Sequence, residues 1–327
     1  MTTTHRKLRR TVARLLLLAP ALPLAACNGP EYSCEPAGGG SGGQTDVRVF
    51  VPERFQFPDG STPGPDTTCE QLCNALSSYS PGQPCSVEAR DSAGVPTELT
   101  CRVLFLCEGR RPEGLLSDGS VEGRLSALGD FFARLFHLEA ASVPAFERLA
   151  EELEAQGAPA RLVRAARRSA GDEVRHARAM AELARRYGAP LPEVRVEPFR
   201  PRSLEALALE NAIEGCVRET FGALVSGWQA RTAGDAEVRH VMGPIAEEEL
   251  RHAELSWAID VWAARGLDAQ ARARVQESRR EALRTLEREV EEREPLEELV
   301  QVAGLPSREA ARQLLRGLAE LVLDVGA

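Results

Sequence analysis

Two short stretches of the chain repeat a glutamate followed three residues later by a histidine. They are DEVRH at Asp172–His176 and EELRH at Glu248–His252, and the whole chain has only five histidines. On an α-helix, residues three positions apart lie on the same face, so each pair can present a carboxylate and an imidazole to one ion. Such side chains are common ligands of iron, manganese and zinc. A third copy, EVRH at Glu237–His240, has the same spacing.

The periodicity of the apolar residues separates these copies. An α-helix turns by about 100° per residue, and on this basis Glu173 and His176 fall within an apolar stripe whose opposite side is rich in arginine. Glu249 and His252 fall within a second apolar stripe, whereas His240 lies on the opposite side of the same segment. We therefore expect the first two copies to face a protein core and the third to face solvent.

Two further segments carry a carboxylate on an apolar stripe. Glu139 lies at the centre of one stripe, whereas His137 falls on the charged side of that segment. Glu214 lies within the stripe of the other segment. Glu139 precedes Glu173 by 34 residues and Glu214 precedes Glu249 by 35. This weak internal repeat makes Glu214 the counterpart of Glu139.

The segment around Glu214 contains two other glutamates. Glu210 shares the apolar stripe with Glu214, so it is an additional candidate ligand. Glu219 lies on a neighbouring face with small residues, among them Gly215 and Gly222.

Four glutamates and two histidines facing inward would be unfavourable in an apolar core. A buried carboxylate without a partner costs several kcal/mol, and nearly every arginine of these segments faces outward. Two divalent cations would match the four negative charges. The alternative interpretations are a metal-free ionic cluster and a solvated helix face. We predict a site for two metal ions, with the ligands Glu139, Glu173, His176, Glu214, Glu249 and His252.

Four predicted helices carry these residues. The first two and the last two are joined by short breaks, whereas Gly188–Ser203 could span about 50 Å when extended. Short, long and short connections are typical of a four-helix bundle with one long crossover. We predict a mainly α fold with this bundle at 115–266 and a helical tail at 267–327. The predicted helices are Val121–Gln156, Ala160–Tyr187, Leu204–Arg231 and Ala236–Arg265.

The N-terminus has the form of an export signal. The basic segment Met1–Arg14 precedes an apolar run that ends in LAAC at Leu24–Cys27. This ending resembles the bacterial lipoprotein box, in which the cysteine becomes the lipidated first residue. An ordinary secretory signal or an uncleaved anchor is the alternative. We predict a signal peptide at 1–26, lipidation of Cys27, and attachment to a membrane of a bacterial cell envelope, at the outer membrane or the periplasmic face.

Six cysteines lie between Cys27 and the predicted helices. An even number in an oxidising compartment favours disulfides, although the sequence does not choose among the pairings. Metal binding by their thiolates is the alternative. Residues 27–46 are rich in glycine and predict a flexible tether, whereas 47–114 predict a small cystine-rich module with β structure. Cys216 lies apart and is predicted to be a buried free thiol. The six are Cys34, Cys69, Cys73, Cys85, Cys101 and Cys107.

The charge of the chain excludes one class of partner. Its formal net charge is −9, and its arginines alternate with acidic residues along the predicted helices. No basic surface is therefore expected, and we exclude nucleic acid as a partner.

The ligand pattern resembles the ferritin-like di-iron carboxylate superfamily. Its members place one Glu on the first and third helices and a Glu-x-x-His on the second and fourth. Phrases such as LEAASVPAF (Leu138–Phe146) and ENAIEGCVRETFGAL (Glu210–Leu224) are similar to those of exported ferritin-like lipoproteins of the myxobacterial type. The resemblance covers Leu115–Gly266. It implies two iron ions, or iron with manganese, held by the six predicted ligands.

The resemblance also implies an oxidoreductase that activates oxygen or peroxide, with a small-molecule substrate and an electron donor that the sequence does not identify. Rubrerythrin-like members have a second Glu on the third helix. Glu219 could serve in that way only if a π-type turn, which aligns residues five apart, brought it onto the ligand face.

Other functions are consistent with the same residues. A lipoprotein that binds or sequesters metal without turnover would use the same ligands, and a bundle that acts as a scaffold for interactions would need none of them. No rubredoxin-type cysteine set adjoins the predicted bundle, which argues against a self-contained rubrerythrin peroxidase. Tyr187 lies about 16 Å along the helix from His176, so a tyrosyl radical beside the metals is not expected.

Overall fold

The computed structural model describes residues 8–13, 43–51, 55–57, 60–76, 85–105, 110, 112, 115, 126–291 and 294–325. The predicted lipidation site Cys27, most of the predicted tether, Cys34 and Cys107 lie outside these residues. The last four residues of the predicted tether, 43–46, are not a flexible linker but form the start of a β-strand. Residues 8–13, within the predicted signal peptide, are helical, and Leu8 and Val12 pack against the long helices. None of the helices described is long and apolar enough to cross a membrane.

A small antiparallel sheet forms the N-terminal module. Its strands are β1 (Gly43–Phe50), β2 (Cys85–Arg90) and β3 (Pro96–Phe105), in the order β1–β3–β2. A tight turn joins β2 to β3, where the Asp91 side chain accepts hydrogen bonds from two backbone N–H groups and Gly94 has a φ of 84°. A positive φ strongly favours glycine at this position.

Two disulfides attach helix α1 (Cys69–Leu76) to the sheet. Cys69 is bonded to Cys85 on β2, and Cys73 to Cys101 on β3. The prediction of a cystine-rich module with β structure is therefore confirmed for these four cysteines. Leu72 and Leu99 are fully buried beside the Cys73–Cys101 bond, so the disulfides form much of a core that is too small to be stable by apolar burial alone.

Long helices make up most of the described chain, as the sequence predicts. Two of them start at a capping serine: the hydroxyls of Ser126 and Ser203 accept from backbone N–H groups at 2.9 Å and 3.2 Å. Pro144 and Pro244 lie inside helices that continue through them. The helices are α2 (Ala127–Ala155), α3 (Ala160–Arg186), α4 (Leu204–Glu210), a π-helical segment (Asn211–Glu219), α5 (Thr220–Thr232) and α6 (Ala236–Ala263).

These helices pack as two hairpins. α2 packs along α3, and α5 packs along α6, in each case across a short connection. α4, the π-helical segment and α5 follow one another without a break, so they form one continuous rod. The two hairpins meet where α6 contacts α3. The connection at 187–203 joins them, as the long connection in the sequence predicts.

The burial of α2 differs from the prediction at one histidine. His137 was expected on the charged side of this helix, but only 3% of it is exposed. Leu138 and Ala141 beside it are also buried. The spacing of apolar residues predicts one buried face for this helix. It does not reveal that residues on a second side of α2, including His137, are also buried.

The C-terminal tail is helical and packs on the rod. α7 (Ala269–Glu291) contacts α4 and the π-helical segment, and α9 (Arg308–Val325) contacts α5 and α7, with the short α8 (Glu297–Gln301) between them. Arg218 of the π-helical segment donates two hydrogen bonds of 2.6 Å to Glu289 of α7. Both side chains are buried, so this ion pair holds the tail against the rod.

Asp235 provides a test of the connection between the hairpins. It is the N-cap of α6, accepting from the N–H of Glu237 at 2.8 Å, and it accepts a hydrogen bond of 2.7 Å from the Tyr187 hydroxyl. Burial acts to raise the pKa of Asp235, but the hydrogen bonds from Tyr187, Arg186 and the backbone outweigh it and lower the pKa to about 2. Replacement by alanine should lower the free energy of unfolding at pH 7 by about 1 kcal/mol.

The same effect has a defined pH dependence. Because the folded-state pKa of Asp235 is below its unfolded-state value, its contribution is complete above about pH 4 and is lost as the pH falls towards about 2. Urea unfolding followed by circular dichroism should show the gap between wild type and Asp235→Ala closing over that range. Asp235→Asn, which keeps the cap, should lose less at pH 7. A gap of equal size at pH 7 and pH 2 would contradict this role.

Candidate metal centre

Six ionisable side chains meet between α2, α3, α6 and the end of the π-helical segment. Their ligand atoms form two groups, and within each group the atoms lie within 4.8 Å of one another. Glu249 belongs to both groups, so the two are adjacent. The first group is Glu139, Glu173, His176 and Glu249, and the second is Glu219, Glu249 and His252.

Two carboxylates lie between the two histidines. Glu249 Oε1 is 3.0 Å from His176 Nδ1 and 3.7 Å from His252 Nδ1. Glu173 places Oε1 3.1 Å from His252 Nδ1 and Oε2 3.6 Å from His176 Nδ1. The two imidazole rings have their centroids 5.8 Å apart. Glu173 and Glu249 therefore each lie near both histidines, whereas Glu139 belongs only to the first group and Glu219 only to the second.

The cluster is almost closed to water. The side chain of Glu139 is 18% exposed, that of Glu249 is 8% exposed, and His252 is not exposed at all. Glu219 is also fully buried. Water at the surface therefore reaches mainly Glu139.

Several ligand atoms have no hydrogen-bond partner within the described chain. They are both carboxylate oxygens of Glu219, Oε2 of Glu173, and Nδ1 of His176 and His252. Buried polar atoms are satisfied in nearly all native proteins, and an unsatisfied carboxylate is especially costly. Cations with oxygen and nitrogen ligands would satisfy all of these atoms at once. The cluster therefore fits a metal ion, and its two groups fit two.

The carboxylates of the cluster differ in their affinity for protons. Burial and the charge of Glu173 raise the pKa of Glu139 well above its usual range, and burial and the charge of Glu249 do the same for Glu219. For Glu249, burial also acts to raise the pKa, but the charges of His252 and His176 outweigh it and lower the pKa. Like charges in one buried space thus cannot all ionise unless cations accompany them.

The histidines take the role of cations when they are protonated. Burial acts to lower the pKa of His176 and His252, but the surrounding carboxylates outweigh it and raise both pKa values above the usual range. Without metal, the cluster therefore balances its charge with protons. A metal ion that binds here displaces those protons, because a ligating imidazole must be neutral.

A second carboxylate faces the outer nitrogen of each histidine. His176 Nε2 on α3 is 2.9 Å from Glu248 on α6, and His252 Nε2 on α6 is 3.2 Å from Asp172 on α3. The arrangement is reciprocal, since the residue before each ligand glutamate binds the histidine of the facing helix. An Nε2–H donated outward leaves the Nδ1 lone pair directed at the cluster, which is the arrangement typical of metal-ligating histidine.

Two arginines hold these outer carboxylates in place. Arg175 Nη2 contacts Asp172 at 2.5 Å and Glu248 at 2.7 Å, and Arg251 Nη2 contacts the same two at 3.3 Å and 3.1 Å. Burial acts to raise the pKa of Asp172, but hydrogen bonds from His252 and Arg175 lower it to about 2. Asp172 is therefore ionised at neutral pH and can accept a hydrogen bond from the Nε2–H of His252.

Sequence reasoning missed these four residues, although the signal was present. Both stretches have the same pattern, an acid, the ligand Glu, an apolar residue, Arg and the ligand His. The periodicity of apolar residues predicts only the Glu and the His of each stretch as ligands. The same periodicity predicts that the arginines face solvent. Arg175 and Arg251 are about half exposed, but their guanidinium groups contact the outer carboxylates.

The predicted ligand of the third helix differs from the one that the structure brings to the cluster. Glu214 is buried but belongs to neither group, whereas Glu219 belongs to the second. The reason is the π-helical segment, because hydrogen bonds from i to i+5 change the phase of every residue that follows. The other five predicted ligands come together as expected.

The remaining candidates lie elsewhere. Glu210 accepts from Arg110 at 2.9 Å and also pairs with Arg202, so it is engaged outside the cluster. His240 is exposed, as predicted. Cys216 is a buried free thiol, also as predicted.

Comparison with models of known protein families, with curated proteins and with solved structures finds no match for the chain. Functional inference therefore depends on the geometry of the cluster.

The two candidate ligands of the third helix can be separated by substitution. Glu219→Gln should weaken the binding of at least one Co²⁺ ion by about 10- to 100-fold, because it removes a charged ligand from the second group. Glu214→Gln is the matched control, five residues earlier in the same segment, and should change Co²⁺ affinity much less. Calorimetric titration with Co²⁺ measures both. A larger loss in Glu214→Gln would contradict the assignment of Glu219.

The contribution of the outer carboxylates to metal affinity can be tested separately. Asp172→Asn and Glu248→Gln keep the shape of each side chain but weaken its hold on the histidine proton. Each should lower Co²⁺ affinity by about 10-fold or more, as is usual for residues that orient a metal ligand. Glu247→Gln alters an acidic neighbour outside both groups and should have little effect. Wild-type affinity in both Asp172→Asn and Glu248→Gln would show that the reciprocal contacts do not support metal binding.

Proposed function

We propose that the chain is a ferritin-like di-iron carboxylate protein and acts as an oxidoreductase on oxygen or peroxide. The observation that supports this most is the set of six side chains in two adjacent groups, five of them buried and Glu139 partly exposed. Five of their ligand atoms have no hydrogen-bond partner among the described residues. Four carboxylates and two neutral imidazoles balance the charge of two divalent cations. A metal-free cluster whose charge is balanced by protons would leave those five atoms without partners.

Each residue has a place in this proposal. Glu139 and His176 would bind one ion, Glu219 and His252 would bind the other, and Glu173 and Glu249 would lie between them. Asp172 and Glu248 orient the two imidazoles, and the helices around them exclude water. Two iron ions would supply the electrons for reduction of oxygen or peroxide, and the protein would supply ligand geometry and access. A small oxidant would enter beside Glu139, the most exposed of these ligands.

The packing of the helices supports the ferritin-like assignment. One hairpin contributes Glu139, Glu173 and His176, and the other contributes Glu219, Glu249 and His252. The long connection at 187–203 lies between them. A bundle with short, long and short connections that carries its ligands in this way is the ferritin-like arrangement.

We further propose that the protein is exported and lipid-anchored at a bacterial membrane through Cys27. The disulfides Cys69–Cys85 and Cys73–Cys101 suit an oxidising compartment.

A metal-binding protein without turnover is the second candidate function. The complete burial of Glu219 and His252 favours it, because a fully enclosed ion has little room for a substrate. Metal binding is common to both candidates, and only the first consumes oxygen.

Metal analysis tests both candidates. The full-length chain, purified in mild detergent and loaded with ferrous iron without oxygen, should bind two ions per chain. Glu139→Ala and His252→Ala should each remove at least one. His240→Ala is a matched control, since this histidine has the same Glu-x-x-His spacing but is exposed. Bound iron below about a tenth of an equivalent per chain would exclude both candidate functions, because both require a metal site in the folded protein.

Oxygen uptake then separates the two candidates. The ferrous wild-type protein should consume oxygen in proportion to its bound iron, and Glu139→Ala should consume less. Stable binding of two ferrous ions without oxygen uptake would favour sequestration instead.

A further inference from the structure

Arg110 is a fully buried arginine from outside the long helices. In sequence it lies between β3 and α2, and none of its side chain is exposed. An arginine remains charged in proteins, so a buried guanidinium needs acceptors for its N–H groups. Among the described residues, Nη1 and Nη2 of Arg110 have acceptors, whereas its Nε has none. The acceptors of its N–H groups show which segments of the chain Arg110 connects.

Arg110 binds the point where the third helix changes from α to π. Its Nη1 donates to Glu210 at 2.9 Å, and its Nη2 donates to the Asn211 side chain at 2.9 Å. Glu210 is the last residue of α4, and Asn211 is the first of the π-helical segment. The guanidinium therefore spans the junction at which the hydrogen-bond pattern shifts.

The same contact extends to the helix that carries His252. Asn211 Nδ2 donates to the carbonyl of Ser256 on α6 at 2.9 Å, and the Ser256 hydroxyl lies 3.5 Å from Arg110 Nη2. Ser256 in turn donates to the carbonyl of His252 at 3.1 Å. The start of the π-helical segment is thus tied to the turn of α6 that carries a ligand.

Gly215 leaves the space that Arg110 occupies. A Cβ atom at this position would lie 2.6 Å from Arg110 Nη2 and 2.6 Å from Ser256 Oγ. Glycine inside a helix is unfavourable relative to alanine, so its presence in the π-helical segment is explained by the close approach of the guanidinium.

Arg110 also contacts α2. Its guanidinium lies over the Phe146 ring at 5.6 Å, and the Ser142 hydroxyl donates to its carbonyl oxygen at 2.9 Å. The Phe146 ring is 4.9 Å from the ring of His252. One side chain therefore contacts α2, the π-helical junction and α6, which all contribute ligands to the candidate metal centre.

We infer that Arg110 is a positioning residue for the ion at Glu219 and His252. It holds the start of the π-helical segment against α6 and so sets the phase at which Glu219 reaches the cluster. If the segment relaxed to a regular α-helix, the residues after it would turn by about one position, or 100°. Glu219 would then leave the ligand face, as it does on a regular helical wheel. This inference rests on the proposed metal binding.

Titration of the full-length protein with Co²⁺ alone tests the inference without reference to activity. In Arg110→Ala, affinity for one of the two Co²⁺ ions should fall by about 10- to 100-fold, whereas the other should change little. Arg134→Ala is the matched control, because it removes an arginine that is 11% exposed and pairs with Asp130 on α2, away from the π-helical segment. It should leave both affinities near those of the wild type.

Gly215→Ala keeps the charge of Arg110 but displaces its guanidinium. It should cause the same selective loss of one Co²⁺ ion, and it provides the test if Arg110→Ala does not fold. In the double variant residue 215 still meets the Ser256 hydroxyl and the Asn211 side chain, but the effect that acts through Arg110 is already lost, so the combined loss should be smaller than the sum of the two. Additive losses would overturn the inference, because they would mean that the two residues act independently.

Different results would contradict the metal binding and the role of Arg110. A wild-type protein that does not bind two Co²⁺ ions would contradict the proposed function. A wild-type protein that binds two, together with Arg110→Ala and Gly215→Ala variants that bind two with unchanged affinity, would overturn the role of Arg110 alone.

Discussion

The constraint on which the structure depends is the burial of four carboxylates in one space. Glu139, Glu173, Glu219 and Glu249 are enclosed by helices, and their mutual repulsion in a medium of low polarity is strong. Protons on Glu139, Glu219 and the histidines can relieve it, and two divalent cations can relieve it more completely. The outward position of most arginines follows from this, since an arginine inside the cluster would occupy the place of a cation.

The repeated stretches DEVRH and EELRH provide the residues that orient two imidazoles in this buried space. Asp172 and Glu248 each bind the histidine of the facing helix, so α3 and α6 are joined through four side chains that alternate between the helices. Arg175 and Arg251 neutralise the outer carboxylates from the surface, where their guanidinium groups remain in contact with water. Negative charge is therefore arranged in two layers, with the two histidines beside the inner acids and the two arginines over the outer ones.

The third helix depends on residues outside the hairpins. π-Helical hydrogen bonding is rare and usually occurs where function requires it. Here Arg110 holds the start of the segment, while Arg218, next to Glu219, is paired with Glu289 of the tail. The segment that precedes the long helices and the tail that follows them thus both contribute to the position of one carboxylate. This gives them a structural role beyond covering the apolar surface.

The sequence by itself determined the helices and most of the residues of the cluster. Because an α-helix has a constant period, apolar spacing placed Glu139, Glu173, His176, Glu249 and His252 on inner faces and His240 on an outer one. The tertiary structure decided the rest. The burial of His137 and the pairing of the cysteines depend on neighbours distant in sequence. The choice of Glu219 over Glu214 depends on the phase of a π-helical segment, which is set by contacts from Arg110, Asn211 and Ser256 rather than by local spacing.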